Sequence, residues 1–264
     1  MIIQKTKNMK HLSYLIAILL LMATSCSNQD LEQEPASGKA QLQLRLSTED
    51  SRIVLTRATA VPDVNDFIVV VKDTKTGKEE VKKTLKELKQ ETPLYLPAGK
   101  DGTEYTVEAY SNELKDAVLE TPYFYASESV TLKQDEMAKV ELKCSLQQFQ
   151  VSFNPADNFK SSFRANDKLQ DGDTKFKLTA TDENGRSVDF TLDDLDKSAY
   201  FDASKASSYI KIHIEGTTLK GFPVDFTETI QPKDGKLERK DHLIIDLAVS
   251  ETKSMSLKAI TIEE

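Results

Sequence analysis

The sequence predicts an all-β protein, two antiparallel β-sandwich domains in tandem, with little helix. Three observations carry this reading. From residue 39 on, apolar and polar residues alternate with period two in one segment after another, the pattern of strands with one face in a core. Turn-forming groups of Asp, Asn, Gly and Thr separate the segments. About 225 residues follow the N-terminal stretch, enough for two domains of ordinary size.

Residues 1–25 come first. They carry Lys5, Lys7 and Lys10, then an uncharged run from Leu12 to Ala23, and end in Ala23-Thr24-Ser25-Cys26. A basic start, a short apolar stretch and small residues before a cleavage point predict a secretory signal peptide. The run is shorter than the roughly 20 apolar residues of a spanning helix. Translation starts at Met1 or at Met9. A cysteine directly after the small residues resembles a bacterial lipobox, in which the thiol is acylated (a palmitate-type chain) and becomes the mature N-terminus. That resemblance implies lipidation of Cys26; the alternative is an ordinary secretory signal with an incidental cysteine. Residues 26–38 are polar, with Leu31 as the one large apolar side chain, and predict a flexible tether. Asp30, Glu32 and Glu34 so soon after the cysteine resemble the surface-export signal of Bacteroidota lipoproteins. This implies a lipid-anchored protein on the outer face of the cell outer membrane.

The first sandwich is expected over residues 39–146. Leu42, Leu44 and Leu46 alternate with Gln41, Gln43 and Arg45. Phe67, Val69 and Val71 form the next strand, and residues 73–78, Asp-Thr-Lys-Thr-Gly-Lys, read as a hairpin turn. Glu79 to Gln90 breaks the pattern. It places Val81, Leu85 and Leu88 at helical spacing among Lys and Glu, and reads as a short surface helix or a charged edge strand. Tyr105, Val107 and Ala109 alternate with Thr106, Glu108 and Tyr110; Val130 and Leu132 follow; Val140, Leu142, Cys144 and Leu146 close the set.

The second sandwich is expected over residues 147–264, with the boundary near Ser145–Gln148. No Pro/Gly hinge lies there, which predicts a fixed relation between the halves. Phe149, Val151 and Phe153 begin it. Phe159 and Phe163 are four apart, the spacing of one helical turn. Strands are expected at Lys175–Thr181, Val188–Leu192, Ala199–Phe201, Tyr209–Glu215, Pro223–Ile230, Leu243–Ser250 and Met255–Ile262. Asp182-Glu183-Asn184-Gly185 is a turn, with Gly185 suited to its positive-φ position.

Charge and composition exclude several functions. The formal charge of −8 becomes −11 once residues 1–25, with three lysines and no acid, are taken off. Nucleic acid, which rewards clustered Lys and Arg, is not an expected partner. The acyl chains must supply the membrane affinity. Cys144 falls on the apolar face of its strand and reads as a buried structural thiol, so no intramolecular disulfide forms once Cys26 is acylated. His213 sits opposite Ile210, Ile212 and Ile214 and should face solvent. With His242 it makes no zinc pattern. No Ser-His-Asp order, nucleophile elbow or phosphate-binding loop is present. No catalytic residue, metal or cofactor is expected, and the chain does not read as an enzyme.

Several phrases carry a family resemblance. They are Leu42-Gln43-Leu44-Arg45-Leu46-Ser47, Leu55-Thr56-Arg57-Ala58 and residues 62–71 (Pro-Asp-Val-Asn-Asp-Phe-Ile-Val-Val-Val). Leu96-Pro97-Ala98-Gly99, Tyr105 to Ser111, Thr121-Pro122-Tyr123-Phe124-Tyr125 and Val140 to Leu146 complete the series. In this order, over about residues 38–165, they resemble the Bacteroidales lipoprotein family of domain of unknown function 4493. Single pieces also occur in transthyretin-like, Greek-key sandwiches. The family is distantly similar to fimbrillin-type pilins and anchor proteins. In such pilins a protease cuts after an arginine beyond the first strand, and the freed groove takes a strand from another subunit. The resemblance implies maturation at Arg57-Ala58, with Arg52 as a second candidate, and strand addition between surface or pilus subunits. An arginine in an exposed loop is the plainer reading of Arg57.

Three functions compete. The first is a surface-exposed lipoprotein with a structural or adhesion role, associated with fimbriae as subunit or anchor. The second is a glycan-binding lipoprotein of a nutrient-uptake system, its ligand-binding aromatics Tyr123, Phe124 and Tyr125; at least one of these rings should instead pack in the core. The third is an enzyme built on Asp171, Asp173, Asp189, Asp193, Asp194 or Asp196, but acidic residues in turns are ordinarily solvated, and no two are paired by the sequence. A calcium site at Asp171–Asp173 or Asp182–Asn184 lacks regular ligand spacing.

Overall fold

The computed structural model describes residues 38–49 and 62–249, and the strand Met255–Ile262. The strands of the first half are β1 (Lys39–Thr48), β2 (Ile68–Asp73), β3 (Glu79–Thr84), β4 (Leu94–Pro97) and β5 (Thr103–Tyr110). They continue with β6 (Ala117–Leu119), β7 (Phe124–Leu132) and β8 (Met137–Leu146). The second half holds β9 (Gln148–Pro155), β10 (Lys177–Asp182), β11 (Ser187–Phe190) and β12 (Ser198–Asp202). β13 (Ile210–Thr217), β14 (Pro223–Ile230), β15 (His242–Val249) and β16 (Met255–Ile262) follow. The chain is all-β, as expected. Between β3 and β4 lies α1 (Leu85–Gln90).

The Glu79–Gln90 segment is strand and helix in turn. Its lysines and glutamates suit the exposed edge strand β3. Thr84 then accepts a hydrogen bond from the Glu87 backbone N–H while the Glu87 carboxylate accepts from that of Thr84, a reciprocal cap that starts α1. Leu85 and Leu88 turn inward.

One sheet takes seven strands in the order β3-β2-β5-β7-β8-β1-β4. β7 and β8 meet only at Phe124 opposite Leu146 and Tyr125 opposite Ser145. Beyond that seam the two parts bury their inner faces in a common cluster of Leu42, Val69, Tyr105, Val107, Leu142 and others. The Leu96-Pro97-Ala98-Gly99 phrase is held by the later tyrosine: the buried Tyr105 hydroxyl donates to the Pro97 carbonyl at 2.7 Å. Thr103 Oγ1 accepts the Gly99 N–H.

A four-stranded sheet, β11-β10-β13-β14, and a five-stranded sheet, β16-β15-β9-β12-β6, enclose the second cluster. It is rich in aromatic rings. Phe149 stacks on Phe201 at 5.2 Å, and Phe159 and Phe163 flank a 3-10 turn with their rings 5.4 Å apart. The hairpin between β10 and β11 has Gly185 at φ +78°, where a side chain would be strained.

Two features cross between the halves. β6, from the β5–β7 connection, pairs with β12, placing Ala117 opposite Phe201 and Leu119 opposite Ala199. On β12, Ala199 and Phe201 enter the second cluster, whereas the fully buried Tyr200 enters the first. Only Gln147 separates β8 from β9.

β9 is buried on both faces. Gln148, Gln150 and Ser152 read as a solvent face but are covered. The Gln150 amide donates to Ser198 Oγ at 2.7 Å, and Ser152 Oγ lies 2.7 Å from His242 Nε2. Burial pushes the His242 imidazole down from 6.5 to about 4. The folded protein therefore holds it neutral, and the unfolded chain protonates first as pH falls. Its stability contribution should be complete above pH 6.5 and decline between 6.5 and 4, by about 3 kcal/mol in all. Urea unfolding at pH 7.5, 5.5 and 4.5 checks this: His242→Asn should be less sensitive to acid than the native protein over that window.

Candidate strand groove and tyrosine face

Of the residues singled out by the sequence, Cys26, Arg52, Arg57 and Ala58 lie outside the described residues. β1 is the strand that precedes the Arg57 segment. It runs parallel to β8, in register from Gln41 opposite Met137 to Thr48 opposite Cys144. On its other side β4 pairs with Lys39 to Leu42 only. No hairpin joins β1 to either neighbour, so its place depends on these pairings and on Ala40 and Leu42, which are buried in the first cluster. Leu44 and Leu46 pack against the same cluster half-buried. Glu49, just past β1, receives the ammonium groups of Lys143 and Lys240. The Lys240 hydrogen bond holds its carboxyl below the usual range.

Where β4 leaves off, β1 and α1 border a cleft of about 290 Å³. Leu44, Leu85, Leu88 and Leu94 form its apolar part and Gln43 and Lys89 its polar part. Beyond Leu42, among the described residues, β1 has a strand partner on the β8 side only. The arrangement is a strand seated in a groove, with an apolar recess beside its less covered edge.

The three aromatics predicted as ligand contacts separate by strand parity. Phe124 is buried in the first cluster and lies 6.3 Å from Phe67. Tyr123 and Tyr125 are half-buried on the opposite face, nearly parallel at 17°, with centroids 6.3 Å apart. Tyr110 faces Tyr125 across β5 and β7. The Tyr125 hydroxyl approaches Glu108, which pairs with Lys72 at 2.8 Å. Sequence reasoning missed Tyr110, Glu108 and Lys72, although the alternation of β5 places Glu108 and Tyr110 on one outer face.

The acidic residues are structural or exposed. Asp173 accepts from Gln170 and Arg164, which hold its carboxyl below the usual range; Asp189 accepts from Thr179, and Asp194 caps Thr191. Asp171, Asp193 and Asp196 are exposed. No group of three or more His, Cys, Asp or Glu that could hold a metal ion occurs among the described residues. Cys144 is buried, and burial pushes its thiol up to about 11, unsuited to nucleophilic work. His213 is half-exposed beside Asp225 at 3.0 Å.

The family model of domain of unknown function DUF4493 matches residues 38–264. The chain belongs to this family. The DUF4493 match includes the second half, which the sequence phrases over 38–165 did not reach. Among solved structures, a fimbrial assembly protein of Parabacteroides distasonis is similar at 14% identity and TM-score 0.46, over 86% of this chain and 95% of that one. The fimbrial anchor protein Mfa2 of Porphyromonas gingivalis is similar at 11% identity and TM-score 0.37, over 84% of this chain and 97% of that one. No curated protein matches the chain.

Proposed function

We propose that this DUF4493 protein is a surface-exposed, lipid-anchored outer-membrane protein with a structural or adhesion role. It consists of two sandwich domains, 39–146 and 147–264, and joins fimbria-type subunits by strand exchange at β1. The observation that carries this reading is the seating of β1. It is held parallel to β8 with no hairpin to either neighbour, and it immediately precedes the segment containing Arg57-Ala58. Cleavage there would leave β1 attached by non-covalent contacts alone. Its departure would bare the β8 edge and an apolar groove that an incoming strand could fill.

The lipid arm of the proposal rests on Cys26. In an Arg57→Ala background, which keeps Cys26 on the chain, cells fed labelled palmitate should label the protein and not its Cys26→Ser variant, which should leave the membrane fraction. The exchange arm is read in mild detergent. A ladder of species is expected from surface-exposed protein and should be lost in Arg57→Ala but not in Arg52→Ala. Monomer alone, with or without Arg57, would contradict it.

A further inference from the structure

We propose that the outer face of β5 and β7 is a binding site for neutral glycans, built on Tyr110, Tyr123 and Tyr125 with Glu108 and Lys72 beside them. This is independent of strand exchange, which uses β1 on the other part of the first sheet.

The face combines two kinds of group. Tyr123 and Tyr125 present nearly parallel rings, and Tyr110 stands directly across from Tyr125. Such rings offer a dry surface for the C–H face of a sugar at little cost in side-chain entropy, because each has only two torsions to fix. Next to them, the Glu108 carboxylate accepts from Lys72 at 2.8 Å and lies 3.4 Å from the Tyr125 hydroxyl. That pair supplies an acceptor and a donor at the edge of the rings, as sugar hydroxyls require. Burial, then the neighbouring tyrosines and Glu108, push the Tyr123 hydroxyl up to about 12, so it stays protonated and able to donate.

Charge selects the occupant. The carboxylate and ammonium cancel, so a neutral, hydroxyl-rich ligand meets no net field. A wholly apolar peptide or lipid surface would have to desolvate an ion pair and receive nothing in return. An anionic chain would lose at Glu108 what it gains at Lys72.

The site is also rigid. The Tyr123 N–H donates to the buried Gln148 side chain at 2.7 Å, and the Tyr123 carbonyl accepts from the Gln147 N–H at 3.0 Å. Asn112 and Ser111 both donate to the Pro122 carbonyl. Buried Phe124 anchors the strand between the two tyrosines. The backbone that carries the rings is therefore fixed before any ligand arrives, which reduces the ordering cost of binding.

The test uses the soluble chain from residue 27 onward and a panel of neutral hexasaccharides: β-1,4-glucan, β-1,4-mannan, β-1,4-xylan and α-1,4-glucan. A hexagalacturonate is the anionic comparison. The sequence has no Trp, so the emission is that of tyrosine, and Tyr110, Tyr123 and Tyr125 are three of the seven tyrosines beyond residue 27. At least one neutral member should bind with a dissociation constant below about 1 mM, in the range of weak specific ligands. Irradiating the aromatic protons should transfer saturation to that sugar's C–H protons. Tyr123→Ala and Tyr125→Ala should each weaken binding at least tenfold, Tyr125→Phe should keep the ring and most of the affinity, and Glu108→Gln should weaken it several-fold. Phe222→Ala, at an exposed ring in the other half, should change nothing. Where an alanine variant misfolds, Glu108→Gln, which removes only the charge beside the rings, reads the same face, and affinity unchanged in it would count against the site. No binding by any neutral member, binding of hexagalacturonate alone, or affinity unchanged in well-folded Tyr123→Ala and Tyr125→Ala would overturn the proposal.

Discussion

Arg186→Ala is expected to destabilise the protein by about 3–5 kcal/mol, because it leaves a buried carboxylate without its counter-charge. Asp182 is the last residue of β10, and its side chain is fully buried. One of its oxygens accepts the backbone N–H of Asn184 and of Arg186, closing the hairpin turn. The other accepts from the Arg186 guanidinium, with Nε at 2.7 Å. Arg186 extends the same fork to the carbonyls of Asp202 and Lys205 and lies over the Phe149 ring at 6.0 Å. One side chain thus ties the β10–β11 turn to the end of β12 and to β9. Lysine cannot reproduce the fork, so Arg186→Lys should fall between alanine and the native protein. Urea unfolding at pH 7 reads all three. A cost below about 1 kcal/mol for alanine would mean that the turn hydrogen bonds alone hold Asp182, the range of exposed pairs.

Tyr200→Ala should cost a similar amount, about 3–5 kcal/mol, as large-to-small changes of buried aromatics do. The distinctive expectation is where the damage appears. Tyr200 lies on a strand of the second half, yet its ring is fully buried in the cluster of the first. Val118 of β6, opposite Tyr200, packs on that cluster too. Hydrogen exchange should therefore lose protection in β2 and β5 as well as in β12. Loss confined to β12 and β9 would show that the halves are energetically separate. Tyr200→Phe preserves the packing and should cost much less.

Much of the fold was legible because alternation and turn chemistry agree. β10, β13, β14 and β15 fall within two residues of the expected bounds, since Ile210, Ile212 and Ile214 on one face and Lys211 and His213 on the other leave little choice of register. β4 and β6 were not legible: four and three residues cannot display a period, and their strand character comes from partners distant in sequence. The parallel pairings of β1 with β8 and β9 with β15 are likewise tertiary facts. Gln148, Gln150 and Ser152 look like a solvated face, and only the covering of β9 on both sides makes them buried polar groups.

The candidate sites divide in the same way. The sequence marked Tyr123 and Tyr125 as aromatics worth attention, and strand parity removed Phe124 from the surface. Tyr110, Glu108 and Lys72 joined them only through strand pairing. The Asp182–Asn184 stretch reads as a turn or a weak calcium pattern, whereas Asp182 in fact serves Arg186.

The central claim is that β1 is a separable strand, delivered on the lipid and released by cleavage after Arg57. The intact mass of the native mature protein, taken from the outer surface of the cells that make it, tests this most directly. A species running from Ala58 to Glu264 is the expected result. A species that begins at acylated Cys26 and retains β1 would contradict it.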